Sequence, residues 1–218
     1  MLMNLRNALM AGKRLPYDAE VEYLRMSDGQ YAIIDYTPTR DTSCDVFIRP
    51  IVLNPKNGSR GLFGSEDANN VHSFAVQYEN DQWATNLLQF KFGEYLNNQQ
   101  VAPFPVGSVY EITLNKNGGF VNGVRVVPVK TSSPSGSSQT TFGVGCYIRD
   151  GNVVGYAGVY DYFGLKIVEN SILVRDYIPV RKGTVGYLYD RVSGKLFGNA
   201  GTGAFAYGND LRYPIPAE

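Results

Sequence analysis

The sequence predicts an all-β protein, and three observations predict it. Short apolar–polar alternations recur along the chain with turn residues about every 8–12 positions, the spacing of antiparallel sandwiches and barrels. The 218 residues include 24 Gly, 16 Tyr and 11 Phe, which means many turns and many aromatics suited to pleated surfaces. No helical periodicity extends past the first segment. With 44% hydrophobic and 18% charged residues the chain can bury one sizeable core, and a single all-β domain of this length is ordinary.

Residues 1–14 stand apart. Leu5 and Leu9 fall one helical turn apart, Leu2 and Met10 lie near them, and Lys13-Arg14 closes the segment. This reads as a short helical arm with one apolar edge or as a frayed terminus, since so short a helix needs a partner surface. Leu15-Pro16 marks a boundary, giving an arm over 1–16, a body over 17–208 and a tail over 209–218. Pro214 and Pro216 prevent the tail from continuing a ladder.

Within the body, Glu20 and Glu22 alternate with Val21 and Tyr23, the period-2 mark of a half-exposed strand. Residues 31–36 follow the turn at Asp28-Gly29 as a second strand. The segments 45–53 and 71–78 read as strands around a loop at 54–58, and 83–92 reads as one strand or two. The clearest hairpin joins 108–114 to 120–121. There Tyr110, Ile112 and Leu114 share a face, and Asn117-Gly118-Gly119 supplies residues tolerant of positive φ. Asn122-Gly123 turns the chain again into 124–129. The segment 131–139 is a polar loop, with strand-like sequence on both sides of it. A long hairpin joins 160–168 to 172–180, and a short one joins 187–190 to 195–197 around Val192-Ser193-Gly194.

Composition excludes several functions. The 20 Lys+Arg cancel the 20 Asp+Glu, so the chain lacks the cationic surplus of a dedicated nucleic-acid binder. His72 is the single imidazole, and no Gly-x-Ser-x-Gly elbow presents a serine to it. Neither a Gly-x-x-x-x-Gly-Lys-Ser/Thr loop nor a Gly-x-Gly-x-x-Gly turn is present for a nucleotide. Cys44 and Cys146 have no CxxC context and read as two buried thiols or as one disulfide. Arg6 interrupts the apolar run of the opening, so it does not read as a signal peptide. No window approaches the ~18–20 apolar residues of a membrane span.

Two stretches carry a family likeness. The first is Tyr17-Asp-Ala-Glu-Val-Glu-Tyr-Leu24 with Asp28-Gly-Gln-Tyr31 and Thr37-Pro-Thr39. The second is Leu173-Val-Arg-Asp-Tyr-Ile-Pro-Val-Arg181, then Val185-Gly-Tyr-Leu-Tyr-Asp190 and Leu196-Phe-Gly-Asn-Ala-Gly-Thr-Gly203. Together they resemble the concanavalin A-like, or laminin G-like, jelly-roll modules of gut-bacterial surface proteins and of the virion proteins of their tailed phages. Ala32-Ile-Ile-Asp35 departs from the usual Ile-Asp-Thr continuation. The resemblance implies an antiparallel jelly-roll β-sandwich, in which some relatives bind glycans on a concave face or on rim loops.

Function must still be argued from a site. Glycanases of this fold carry a Glu-x-Asp-x-x-Glu strand, and nothing here matches it. Glu20-Val-Glu22 has the spacing that puts two carboxylates on one face, but Arg25 stands where a third acid would serve, so no catalytic residue is expected. Laminin G-like sandwiches often hold calcium. Glu66-Asp67 with Asn69-Asn70, and Asp150-Gly-Asn152, are the oxygen-rich loops here, yet neither has the spaced ladder of a dedicated site, and turn chemistry explains both. No cofactor is expected, and calcium is the one ion these loops leave open.

Sugars stack on aromatic faces and hydrogen-bond to amides and carboxylates. Trp83 with Asn86 is the first candidate for such a platform, and Tyr160, Asp161 and Tyr162 form the second, near Tyr156. The same aromatics also suit a core or a protein interface. The arm and the absent export signal match the design of a phage virion protein, made in the host cytoplasm and released by lysis. The expected protein is therefore a non-catalytic structural, decoration or fibre module. It would form homo-oligomers, dock on other virion proteins through Leu2, Leu5, Leu9 and Met10, and adhere to surface polysaccharide. The alternative is a bacterial lectin-like module with no virion role.

Overall fold

The computed structural model describes residues 15–52, 58–67, 72–80, 87–93, 104–128, 140–155 and 158–211. The arm residues Leu2, Leu5, Leu9 and Met10, the loop 131–139 and residues 212–218 lie outside these ranges.

Among the described residues every regular element is a strand. Three short ones come first: β1 (Ala19–Glu20), β2 (Leu24–Met26) and β3 (Ala32–Ile34). Longer strands follow as β4 (Thr42–Val52), β5 (Gly58–Glu66), β6 (Ser73–Asn80) and β7 (Leu87–Gly93). The middle of the chain gives β8 (Tyr110–Asn115), β9 (Gly118–Val121), β10 (Val124–Pro128), β11 (Phe142–Val144), β12 (Tyr147–Arg149) and β13 (Asn152–Val154). The last group is β14 (Val159–Glu169), β15 (Ile172–Lys182), β16 (Val185–Asp190), β17 (Leu196–Phe197) and β18 (Ala206–Tyr207).

They form two sheets. The larger runs β10-β9-β8-β4-β14-β15-β16-β17, with β1 on β15 and with β2 between β14 and β18. The smaller runs β13-β12-β5-β11-β3, with β6 and β7 continuing from β5. Pairing is antiparallel throughout, apart from the parallel contact of β12 with β5. The sheets stack as a sandwich around one core. Val46, Ile48, Ile112, Leu114 and Ile167 of the larger sheet pack in it with Phe63, Phe74, Phe90, Phe92 and Phe142 of the smaller. Phe63 and Phe142 stack with ring centres 5.8 Å apart. Burying each such side chain contributes about 1.5–3 kcal/mol.

The predicted turns are mostly in place. Asn122 and Gly123 both take positive φ, 50° and 76°, as a tight two-residue hairpin turn requires. The long hairpin is β14–β15, and it turns at Asn170-Ser171 with φ of 49° and 67°. The β8–β9 turn falls earlier than expected, at Lys116-Asn117, and Gly118-Gly119 belong to β9. Gly118 takes the positive φ expected of it, 137°, whereas Gly119 serves packing: a Cβ on it would lie 2.4 Å from the Phe90 ring.

The reading of Glu20 and Glu22 as one carboxylate face is corrected. Glu20 is buried and receives the Tyr17 hydroxyl at 3.1 Å, whereas Glu22 is exposed and receives Asn209. β1 ends after Glu20, and residues 209–211 lie along this segment through Asn209 O to Glu22 N and Leu211 N to Glu20 O. Cys44 and Cys146 are both free, buried thiols.

Candidate functional site

The most constructed polar site among the described residues lies on the outer face of the larger sheet, where β4, β14 and β2 run side by side. At this level each strand places a charged residue between inward-facing neighbours: Ile48-Arg49-Pro50, Tyr160-Asp161-Tyr162 and Leu24-Arg25-Met26. Strand alternation sends the flanking residues into the core and the charged one outward. The register then lines them up, because Asp161 is the direct partner of Arg49 on one side and of Arg25 on the other.

Both guanidinium groups converge on the one carboxylate. Arg25 donates through Nε to Oδ1 at 2.6 Å and through Nη2 to Oδ2 at 2.9 Å. Arg49 donates through Nε and Nη2 to Oδ2, at 3.1 and 2.6 Å. The Asp161 side chain has no exposed surface, while Arg25 and Arg49 keep 36% and 29% of theirs. Hydrogen bonding to Asp161 raises the Arg25 pKa above its ordinary value, so this cation stays charged at any physiological pH.

Aromatic rings fix the arginines from the side. Arg49 lies 5.2 Å from the ring centres of Tyr23 and of Phe163, and Arg25 lies 5.3 Å from Tyr23. The two rings meet edge to face at 5.8 Å. Phe163 lies two residues after Asp161 and so shares its face. β14 bulges there: its register with β4 shifts between Tyr162 and Gly164, leaving Phe163 as the extra residue. The bulge changes the phase of the strand, so that Leu165 and Ile167 return to the core.

Two cations and one anion leave this row with a charge of +1. Among the described residues the Nη1 groups of both arginines donate no hydrogen bond. The site is therefore a rigid cationic donor edge. Its unused hydrogen-bonding groups are donors on cations.

The residues expected from sequence to hold a sugar fall elsewhere or serve otherwise. Tyr160 and Tyr162 are core residues with 3% and 1% exposure, so neither ring presents a face to solvent. Asp161 is the hub of the arginine row. Trp83, Asn86 and Tyr156 lie outside the described residues. Arg25 and Arg49 carry no motif that marks a site in the sequence, although each has the apolar–charged–apolar signature of an outward position on a strand.

Among the described residues no group of three or more His, Cys, Asp and Glu side chains is placed to hold a metal. In the first oxygen-rich loop, Glu66 is fully buried and bound by Lys91 at 3.0 Å and by Arg149 at 2.8 Å. Asp67 receives the His72 backbone N–H at 3.3 Å. In the second, Asp150 and Gly151 form the positive-φ turn between β12 and β13, and the Asn152 amide donates to the Asp150 carbonyl.

The residues that carry the family likeness are committed to structure. Asp190 receives the backbone N–H groups of Asp176, Val192 and Ser193 together with the Ser193 hydroxyl, and so shapes the β16–β17 turn. Asn199 accepts from the Tyr31 and Gly201 N–H groups and donates to the Thr202 and Gly203 carbonyls. This ties the glycine-rich loop to the strand entry at Tyr31. No family model matches the chain, and neither a curated protein nor a solved structure matches it.

Proposed function

We propose that this chain is a non-catalytic structural and adhesion module of a bacteriophage virion. In this reading the sandwich is a jelly roll of the concanavalin A-like type. It docks on other virion proteins or on further copies of itself through residues 1–14, and holds host-surface glycans on its outer faces. One observation carries the adhesion reading: Asp161 aligns two half-exposed arginines and two aromatic rings on three adjacent strands. Such a row costs little to order on binding, because its register and stacking are already set.

The chemistry of the buried acids also supports a binding role. Asp161 is held by Arg25 and Arg49, Glu66 by Lys91 and Arg149, and Asp176 by Arg191 at 2.5 Å. These carboxylates are engaged as ion-pair partners and are not poised as a general acid beside a base.

Two measurements test the proposal. The full chain and a variant starting at residue 15 are compared by light scattering, and both are applied to an array of bacterial surface glycans. The reading expects an oligomer that dissociates on truncation and glycan binding that survives it. An unchanged mass overturns the docking role, and an array without signal overturns the adhesion role.

A further inference from the structure

We infer that the Arg25–Asp161–Arg49 row seats an oxyanion carried on a sugar, a carboxylate or a sulfate ester, so that the glycans held on this face are acidic. This rests on the adhesion reading above and specifies its ligand class.

The charge count comes first. Asp161 neutralises one of its two arginines, and the row keeps one positive charge on half-exposed side chains. Donor geometry comes second. Both arginines spend Nε and Nη2 on Asp161, which leaves each Nη1 as an unused donor. An oxyanion that accepts from an Nη1 adds a charge-assisted hydrogen bond to a cation already held in place.

The third point is rigidity. Tyr23 and Phe163 hold the Arg49 plane at 5.2 Å, and Tyr23 holds that of Arg25 at 5.3 Å, so neither side chain loses much freedom when an anion arrives. The fourth is the neutral background. The whole chain carries a formal net charge of zero, so attraction of a polyanion must come from a local seat rather than from a general cationic field.

The test uses the full chain and three polymers: polygalacturonate for carboxylate, dextran sulfate for sulfate ester, and unmodified dextran as the neutral control. Binding is followed by titration calorimetry at low and at moderate salt. The inference expects one or both acidic polymers to bind, weakening as salt rises, and dextran not to bind. The stronger polymer identifies the preferred oxyanion. Arg25→Gln and Arg49→Gln should each lower affinity about tenfold or more, the cost of one charge-assisted hydrogen bond. Arg49→Lys keeps the charge beside Asp161 while removing the planar fork. It should fold as the parent, judged by near-ultraviolet circular dichroism, and still bind more weakly.

Acidic polymers that bind all these variants with the parent affinity overturn the seat. Binding of neutral glycans alone, untouched by the substitutions, overturns the inference and leaves the adhesion reading standing. Absence of binding to these polymers and to every glycan on the array overturns both.

Discussion

The Tyr162 hydroxyl, on the core side of β14, donates a 2.8 Å hydrogen bond across the sandwich to the Leu62 carbonyl of the smaller sheet. That carbonyl also receives the Gly145 N–H at 2.9 Å. One side chain thus ties the strand that bears Asp161 to the backbone of the opposite sheet. Tyr162→Phe keeps the ring and removes only this link. The expected loss is about 1–2 kcal/mol, since the carbonyl retains one partner. Urea unfolding of parent and variant measures it, and equal midpoints would show that the bond contributes nothing net.

Local chemistry was legible in the sequence, and pairing over long separations was not. Asn122-Gly123 announces its own turn because the positive φ it needs is a property of those two residues. The β14–β15 hairpin is readable for the same reason, its strands being joined by a short turn. Glu20 is the opposite case. Its alternation with Val21 describes a half-exposed strand, but residues 209–211, at the start of the tail, run along that segment, and Glu20 is buried.

The arginine row shows the same division. That Arg25, Arg49 and Asp161 face outward follows from their apolar neighbours. That they meet depends on β14 lying between β4 and β2, a register spanning more than a hundred positions. Tyr160 and Tyr162 looked like surface aromatics because a sandwich places aromatics on both faces, and the β14 bulge after Tyr162 decides which way they point.

Asp161 is expected to act with both arginines as one unit. Asp161→Asn leaves two cations facing each other across a neutral amide. Partial exposure of the arginines screens much of that repulsion, so the cost should be about 1–3 kcal/mol. Adding Arg25→Gln removes that repulsion, and the double variant should be more stable than the sum of the single losses implies. A double-mutant cycle in urea checks this. Strict additivity would mean that Asp161 and Arg25 are not energetically coupled.

Two glycines should respond oppositely to substitution. Gly119 of β9 faces Phe90, a ring with 1% exposure, and any Cβ there must displace it. Gly119→Ala should cost about 1–3 kcal/mol as overpacking. Gly123 has open space around its Cβ position and requires only a positive φ of 76°. Asparagine tolerates that backbone, so Gly123→Asn should cost less than about 0.5 kcal/mol. Comparable losses at both positions, read from thermal melts, would contradict this assignment of their roles.

Alkaline pH should destabilise the fold through groups whose protons are locked in by burial. Desolvation pushes the Cys146 thiol up to about 12 and the Cys44 thiol well above its ordinary value. It likewise raises the Tyr160, Tyr162 and Tyr177 phenols. Unfolded, thiols titrate near ~8.5 and phenols near ~10. Between those values and the raised folded ones, the native state holds more protons than the unfolded state, so stability falls as pH rises. The contribution is complete below about pH 8 and is lost progressively above it, first through the cysteines and then through the tyrosines. Melting temperatures taken from pH 7 to 11 should be level at first and then decline. Ellman's reagent at pH 8 should find no reactive thiol in the native protein and two after urea, because the thiolate is the reacting form and burial suppresses it. Rapid labelling of native protein would refute the burial of Cys44 and Cys146.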